Sequence, residues 1–236
     1  MEKKQQMTEQ ERRRKWTVFK EYYLPYILVG LIFLVLIVSI TVNDFMGPDE
    51  AFFITTVDVY TTDKTEEYLD EFLVYSGLNT EDYSATYRSF ILDEVNEDTI
   101  NSIQTLVAYM TAGQLDAAVM DHSSFVTYAY MGMFADLRDY MTEEQLAQFE
   151  GKIFYIEAED LESADGVQGE TIDFEAYGSA EGMTDPVPVG INLSECGGET
   201  YQVFINANNE TYFGIISNSG RPDMCQKFVN YVLELD

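Results

Sequence analysis

Residues 98–132 read DTINSIQTLVAYMTAGQLDAAVMDHSSFVTYAYMG, and this stretch decides the fold class. Asp98 is placed to cap a helix whose Ile100, Ile103, Val107 and Met110 recur on one face, and Gly113 is placed to end it. Leu115 to Met120 is a short apolar strand interrupted by Asp116. Ser123 or Ser124 then caps a second helix that runs through Tyr130 and closes at Gly132.

The same alternation extends in both directions. Upstream, Phe52 to Tyr60 is rich in β-branched and aromatic residues and reads as a strand. Asp63 with Glu66 is a capping signature for a helix with Tyr68, Leu69, Phe72 and Leu73 on one face, ended by Gly77. Thr86 to Leu92 is a further strand. Strands separated by helices predict an α/β domain with a mainly parallel sheet flanked by helices. Downstream, Thr142 and Gln145 form a capping box before Leu146 and Phe149. Pro186 to Ile191, Tyr201 to Ile205 and Tyr212 to Ser217 read as strands, with residues 206–210 joining the last two as a hairpin loop. Pro222 suits the first turn of a C-terminal helix that buries Met224, Phe228, Tyr231, Val232 and Leu235. Between these parts, residues 157–185 are acidic and lack a sustained period, so they read as a loop or insertion. Its carboxylates, including Glu157, Glu159, Asp160, Asp165, Glu170 and Asp173, suit a hard cation such as Ca²⁺, but their spacing fits no EF-hand pattern, and a solvated loop is the plainer expectation.

Before the domain comes Leu24 to Val42, nineteen residues without a charge. As a helix they span about 28 Å, close to the ~30 Å hydrocarbon core of a bilayer. Lys3, Lys4, Arg12, Arg13, Arg14, Lys15 and Lys20 precede the run, and Asn43, Asp44, Asp49 and Glu50 follow it. The positive-inside rule places the N-terminus in the cytoplasm and the remainder outside, and Trp16, Tyr22, Tyr23 and Tyr26 suit an interfacial aromatic belt. The run exceeds a signal-peptide core, and Ser39-Ile40-Thr41-Val42-Asn43 is a poor cleavage site, so an uncleaved anchor is expected. The expected organisation is a basic cytoplasmic segment (1–22), a membrane helix (23–42), a stalk (43–50) and an extracytoplasmic domain (51–236) at the cell surface.

Charge supports this division. The first 42 residues hold seven of the 13 basic and four of the 42 acidic residues, which leaves six against 38 outside, a net of −32. Such a surface disfavours nucleic acid and favours cations, basic peptides or simple solubility. The apolar and aromatic content of the outer segment argues that it folds. Cys196 and Cys225 are the only cysteines. An oxidising compartment permits a disulfide between them, worth about 3–4 kcal/mol in the chain-entropy model, and two free thiols are the alternative.

A resemblance rests on YMTAGQLDAAVMD (109–121) and FVTYAYMGMFADL (125–137), which look like the first lobe of the extracellular solute-binding proteins of bacterial ABC importers. YFGIISNSGRPDMCQKFVNYVL (212–233) is similar to the strand, Asn-Ser turn and closing helix of that family, and PVGI (188–191) resembles a strand near its hinge. The similarity covers about 120 residues. It implies a lobe of the type 2 periplasmic-binding-protein fold, with the loop after Met120 facing a ligand cleft. Asp121, His122, Ser123 and Ser124 would then line a pocket, the serines donating from a helix N-terminus. The chain departs from the family in lacking room for a full second lobe and in carrying an apolar helix where the family has a lipid-anchoring cysteine.

His122 is the only histidine, which argues against a metal centre. No Gly-rich phosphate loop, Gly-x-Ser-x-Gly elbow or His-Glu-x-x-His helix is present. The expectation is a non-catalytic, membrane-anchored module without metal or cofactor that binds a small solute or peptide or a membrane-protein partner. A degenerate lobe acting as an accessory subunit is the alternative, and a hydrolase using Asp121 or His122 the weakest one.

Overall fold

The computed structural model describes residues 9–92, 97–159, 178–196, 203–205 and 210–235. The chain divides into two units, Met1–Gly47 and Pro48–Asp236. The first is helical: α1 (Glu9–Val18), a π-helical turn (Phe19–Tyr23) and α2 (Leu24–Met46). Trp16–Val38 is long and apolar enough to cross a membrane, and none of it is buried. A helix that exposes Phe33 and Leu34 by more than 60 % satisfies its own backbone while offering its side chains to lipid. This apolar helix is compatible with a single-pass anchor and with a signal sequence alike. It continues to Met46, so only Gly47 and Pro48 separate it from the first strand.

The second unit contains β1 (Asp49–Val57), β2 (Tyr60–Thr61), α3 (Thr65–Tyr75), β3 (Tyr83–Phe90), α4 (Glu97–Thr111), β4 (Ala117–Asp121) and α5 (His122–Tyr130). There follow α6 (Glu143–Ala147), β5 (Ile153–Glu157), β6 (Pro186–Asn192), β7 (Phe204–Ile205), β8 (Thr211–Ile215) and α7 (Pro222–Val232). The main sheet has the order β3-β1-β4-β8-β6-β5. It is mixed, which corrects the expectation of a mainly parallel sheet. β1 pairs parallel with β3 and β4, whereas β4 with β8, β8 with β6 and β6 with β5 are antiparallel. The parallel half is the half with helical crossovers. A parallel return needs such a crossover, and the C-terminal strands reach the sheet without that arrangement.

A second correction concerns residues 206–210. β7 and β8 are not a hairpin: β7 pairs with β2 (Tyr60↔Ile205, Thr61↔Phe204), and β8 inserts between β4 and β6. Residues 206–209 lie outside the described residues, as do 160–177 of the acidic segment with Asp160, Asp165, Glu170 and Asp173.

Alternation along β4 supplies both faces of the sheet. Ala117 and Val119 join one core layer with Phe52, Phe72 and Phe228 of β1, α3 and α7; Ala118 and Met120 join the other with Leu106 of α4 and Phe125 of α5. Burying each such aromatic side chain contributes roughly 1.5–3 kcal/mol. Thus α3 and α4 cover opposite faces, as expected when one crossover runs from β1 out to β3 and the next returns from β3 past β1 to β4. Helix ends follow sequence only partly. Thr142 and Gln145 form the expected capping box, with Gln145 N donating to Thr142 Oγ1 at 3.2 Å and Thr142 N to Gln145 Oε1 at 2.9 Å. Asp63 does not cap α3; its N-cap is Lys64, and Thr65 Oγ1 accepts from Thr62 N at 3.1 Å.

Candidate functional site

From β1 the chain proceeds to β3 on one side and then to β4 on the other. The crevice at the carboxyl ends of β1 and β4 is therefore a topological switch point, where open α/β sheets bind ligands. Asp58 follows β1 there, and Asp121, the last residue of β4, leads into His122, Ser123 and Ser124.

Asp121, not Ser123 or Ser124, is the N-cap of α5. Its Oδ1 accepts from Ser124 N at 3.0 Å and its Oδ2 from Ser123 Oγ at 2.8 Å. This capping, with extended backbone at Asp121, is what an N-cap aspartate does. Across the crevice, Ser124 Oγ donates to Asp58 Oδ2 at 3.3 Å, and Leu92 N donates to Asp58 Oδ1 at 2.6 Å. Asp58 has a φ of 53°, a left-handed conformation that aspartate tolerates because its short side chain bonds locally. Thus one carboxylate holds the ends of β1, β3 and α5 together.

Ser123 and Ser124 open onto a cleft of about 370 Å³, together with Thr127 and Tyr128 and an apolar wall that includes Leu92, Ile103, Val107 and Met131. Tyr128 is 5 % exposed. Burial, and then the Asp58 charge, push its phenol up to about 12. α5 sits close to the sheet because Gly190 and Gly214 leave room for the stacked rings of Phe125 and Phe134, whose centroids are 4.3 Å apart.

His122 belongs to different surroundings. Its ring packs on Tyr212 and Phe154 at 5.3 and 6.2 Å between centroids, and its Nδ1 is 3.9 Å from Glu210 Oε2. Phe154, Tyr212 and Glu210 line a second, acidic groove of about 530 Å³, to which Asn192, Glu150 and Glu195 also contribute. The four residues singled out by sequence are therefore divided: Asp121 is a cap, His122 faces the acidic groove's aromatic rings, and Ser123 and Ser124 line the apolar cleft. Tyr212 donates to Glu210 Oε2 at 2.6 Å, and burial foremost raises its phenol. Glu157, offered above as a cation ligand, accepts instead from Thr184 N and Asp185 N at 2.9 and 2.7 Å. Among the described residues no group of three or more His, Cys, Asp or Glu is placed to hold a metal.

Cys196 and Cys225 are free thiols. Cys196 Sγ donates to Asn192 O at 3.2 Å, and Cys225 Sγ is 3.3 Å from Ser219 Oγ. Asp58 escaped the sequence reading. Its signal is an acidic residue directly after the last buried position of a strand, and only the pairing of β1 with β4 gives that position meaning. No family model, curated protein or solved structure matches the chain.

Proposed function

We propose that the chain is a membrane-anchored, extracytoplasmic binding module that takes a small solute or peptide at the β1/β4 crevice and performs no catalysis. The observation that carries this reading is the Ser124–Asp58 hydrogen bond across the switch point, at the mouth of a cleft with a polar rim and an apolar wall. The basic flank before the apolar helix supports an N-in orientation, with the domain at the cell surface. The resemblance to one lobe of bacterial solute-binding proteins supports the same reading. The Asp121 carboxylate supports it as well, since both its oxygens are engaged in capping α5.

The test is thermal unfolding of the full chain in detergent against sugars, amino acids, short peptides, polyamines and Ca²⁺. A ligand at 100 times its dissociation constant adds about 2.7 kcal/mol, enough to raise the midpoint by several degrees. A shift confined to one compound class is expected. No shift with any class sinks the reading.

In that event an accessory lobe that docks on a membrane partner is the better reading. It is favoured by Ile91, Ile100 and Ile103, which are 46, 50 and 40 % exposed, Ile103 lining the cleft itself.

A further inference from the structure

The ligand class can be read from the protons of the cleft, on the premise that the cleft is a binding site. A hydroxyl has one proton and two lone pairs. Ser123 Oγ gives its proton to Asp121 Oδ2, Ser124 Oγ gives its proton to Asp58 Oδ2, and Thr127 Oγ1 gives its proton to Ser123 O at 2.9 Å. Carboxylate and carbonyl oxygens have no proton to return, so these directions are forced. All three hydroxyls on the rim therefore offer lone pairs to a guest, not donors. The amide of Ser124, which a helix N-terminus would otherwise lend to an anion, is already held by Asp121. The expectation that Ser123 and Ser124 donate to a ligand is thereby reversed.

The charges agree with the protons. Asp58 stands one hydrogen bond behind Ser124, and neither lysine nor arginine is among the lining residues. Tyr128, 5 % exposed, adds its aromatic side chain to the wall. Opposite the rim, Leu92, Ile103, Val107 and Met131 supply dry surface. We infer that the cleft accepts a small primary ammonium compound with an apolar body: the ammonium donates to Ser123, Ser124 and Thr127 and is drawn by Asp58, while the body packs on the aliphatic wall. Carboxylates and phosphates are excluded by the same rim.

Three compounds of matched shape test this by calorimetric titration of the full chain in detergent: phenethylamine, 2-phenylethanol and 3-phenylpropionate. Phenethylamine is expected to bind at least tenfold more tightly than the alcohol, and the carboxylate not to bind. Asp58→Asn retains an acceptor for Leu92 N and a residue tolerant of positive φ, so the fold is expected to persist. It should weaken the amine at least tenfold and leave the alcohol unchanged. Ser124→Ala, which keeps the capped amide, is the second variant and should weaken the amine in the same selective way. Equal or tighter binding of the alcohol or carboxylate overturns the ammonium assignment while leaving the cleft a binding site. Amine affinity insensitive to both variants also overturns it. Failure of all three compounds, alongside a thermal shift with another class in the broader panel, overturns the ligand class alone; failure of every compound overturns both readings.

Discussion

Arg221 Nη1 donates to Asp116 Oδ2 across 2.7 Å, joining the residue before α7 to a carboxylate with no exposed side-chain surface. Ser219 Oγ donates to Asp116 Oδ1 at 2.6 Å and Phe53 N to Oδ2 at 2.8 Å, while Arg221 Nη2 reaches Glu50 at 3.0 Å. The start of β1, the residue before β4 and the start of α7 thus meet at one buried anion. Burial raises the Asp116 carboxyl above its ordinary 3.8, against the opposing pull of Ser219, Phe53 N–H and Arg221.

Replacing Arg221 by Met removes that pull without removing the carboxylate. Breaking one side of a buried pair costs about 3–5 kcal/mol, and the low end is expected because the Arg221 side chain keeps 29 % exposure. The sign of the pH dependence follows from the raised carboxyl. The folded state holds the proton more tightly than the unfolded chain, so stability falls as pH rises from about 3.8 to the folded value and is level above it. In Arg221→Met the folded value lies higher still, so the variant should recover part of its loss on acidification. Urea midpoints at pH 5 and pH 7.5 measure this, and a loss identical at both would contradict it.

Gly190→Ala would place a Cβ 2.6 Å from Phe125 Cε1 and 3.1 Å from Phe213 O. Overpacking of this kind costs about 1–3 kcal/mol. Because Phe125 seats α5, the substitution should also weaken whatever binds beside Ser123 and Ser124. The check is a denaturation curve together with a ligand titration; a neutral result in both would show that the α5 contact yields freely.

The thiols should differ from each other in reactivity. Cys225 is fully buried, and burial foremost pushes its thiol up to about 12, so little thiolate exists at neutral pH. Maleimide is expected to leave Cys225 unmodified in the folded protein and to label both cysteines in urea. Recovery of fewer than two thiols in urea without reductant would instead indicate a disulfide.

The apolar helix makes a separate prediction. The chain should remain with membranes through an alkaline carbonate wash, and protease added to intact cells should remove residues 48–236 while sparing the basic segment. Release by carbonate, or a protected domain, would contradict the N-in anchor.

Legibility followed the range of the physics. Period 3.6 in α3 and α7 and the continuous burial of Ala117 to Asp121 were readable because each reports which face of a local segment avoids water. In α4 the expected face holds only in part: Met110 is buried, whereas Ile100 and Ile103 are exposed and Leu106 takes their place in the core. The capping box at Thr142 and Gln145 was readable for the same reason: its partners are three residues apart. By contrast, Asp121 prevailed over the serines as the cap of α5, although all three are eligible by type, because the turn out of β4 leaves Asp121 extended.

Strand direction beyond β4 was not readable, since alternation is identical in parallel and antiparallel strands. β8 lies between β4 and β6 and not beside β7, a choice made by the fit of Phe213 and Gly214 against both neighbours. The cleft belongs to the same category. Ser124 and Asp58 are 66 positions apart, and their hydrogen bond exists only because β1 and β4 are adjacent in the sheet. Local chemistry in the chain established most of the elements, though not β2 or β5, together with the apolar helix and the charge asymmetry. The pairing of strands, which depends on long-range packing, alone decided which carboxylates stand behind which hydroxyls.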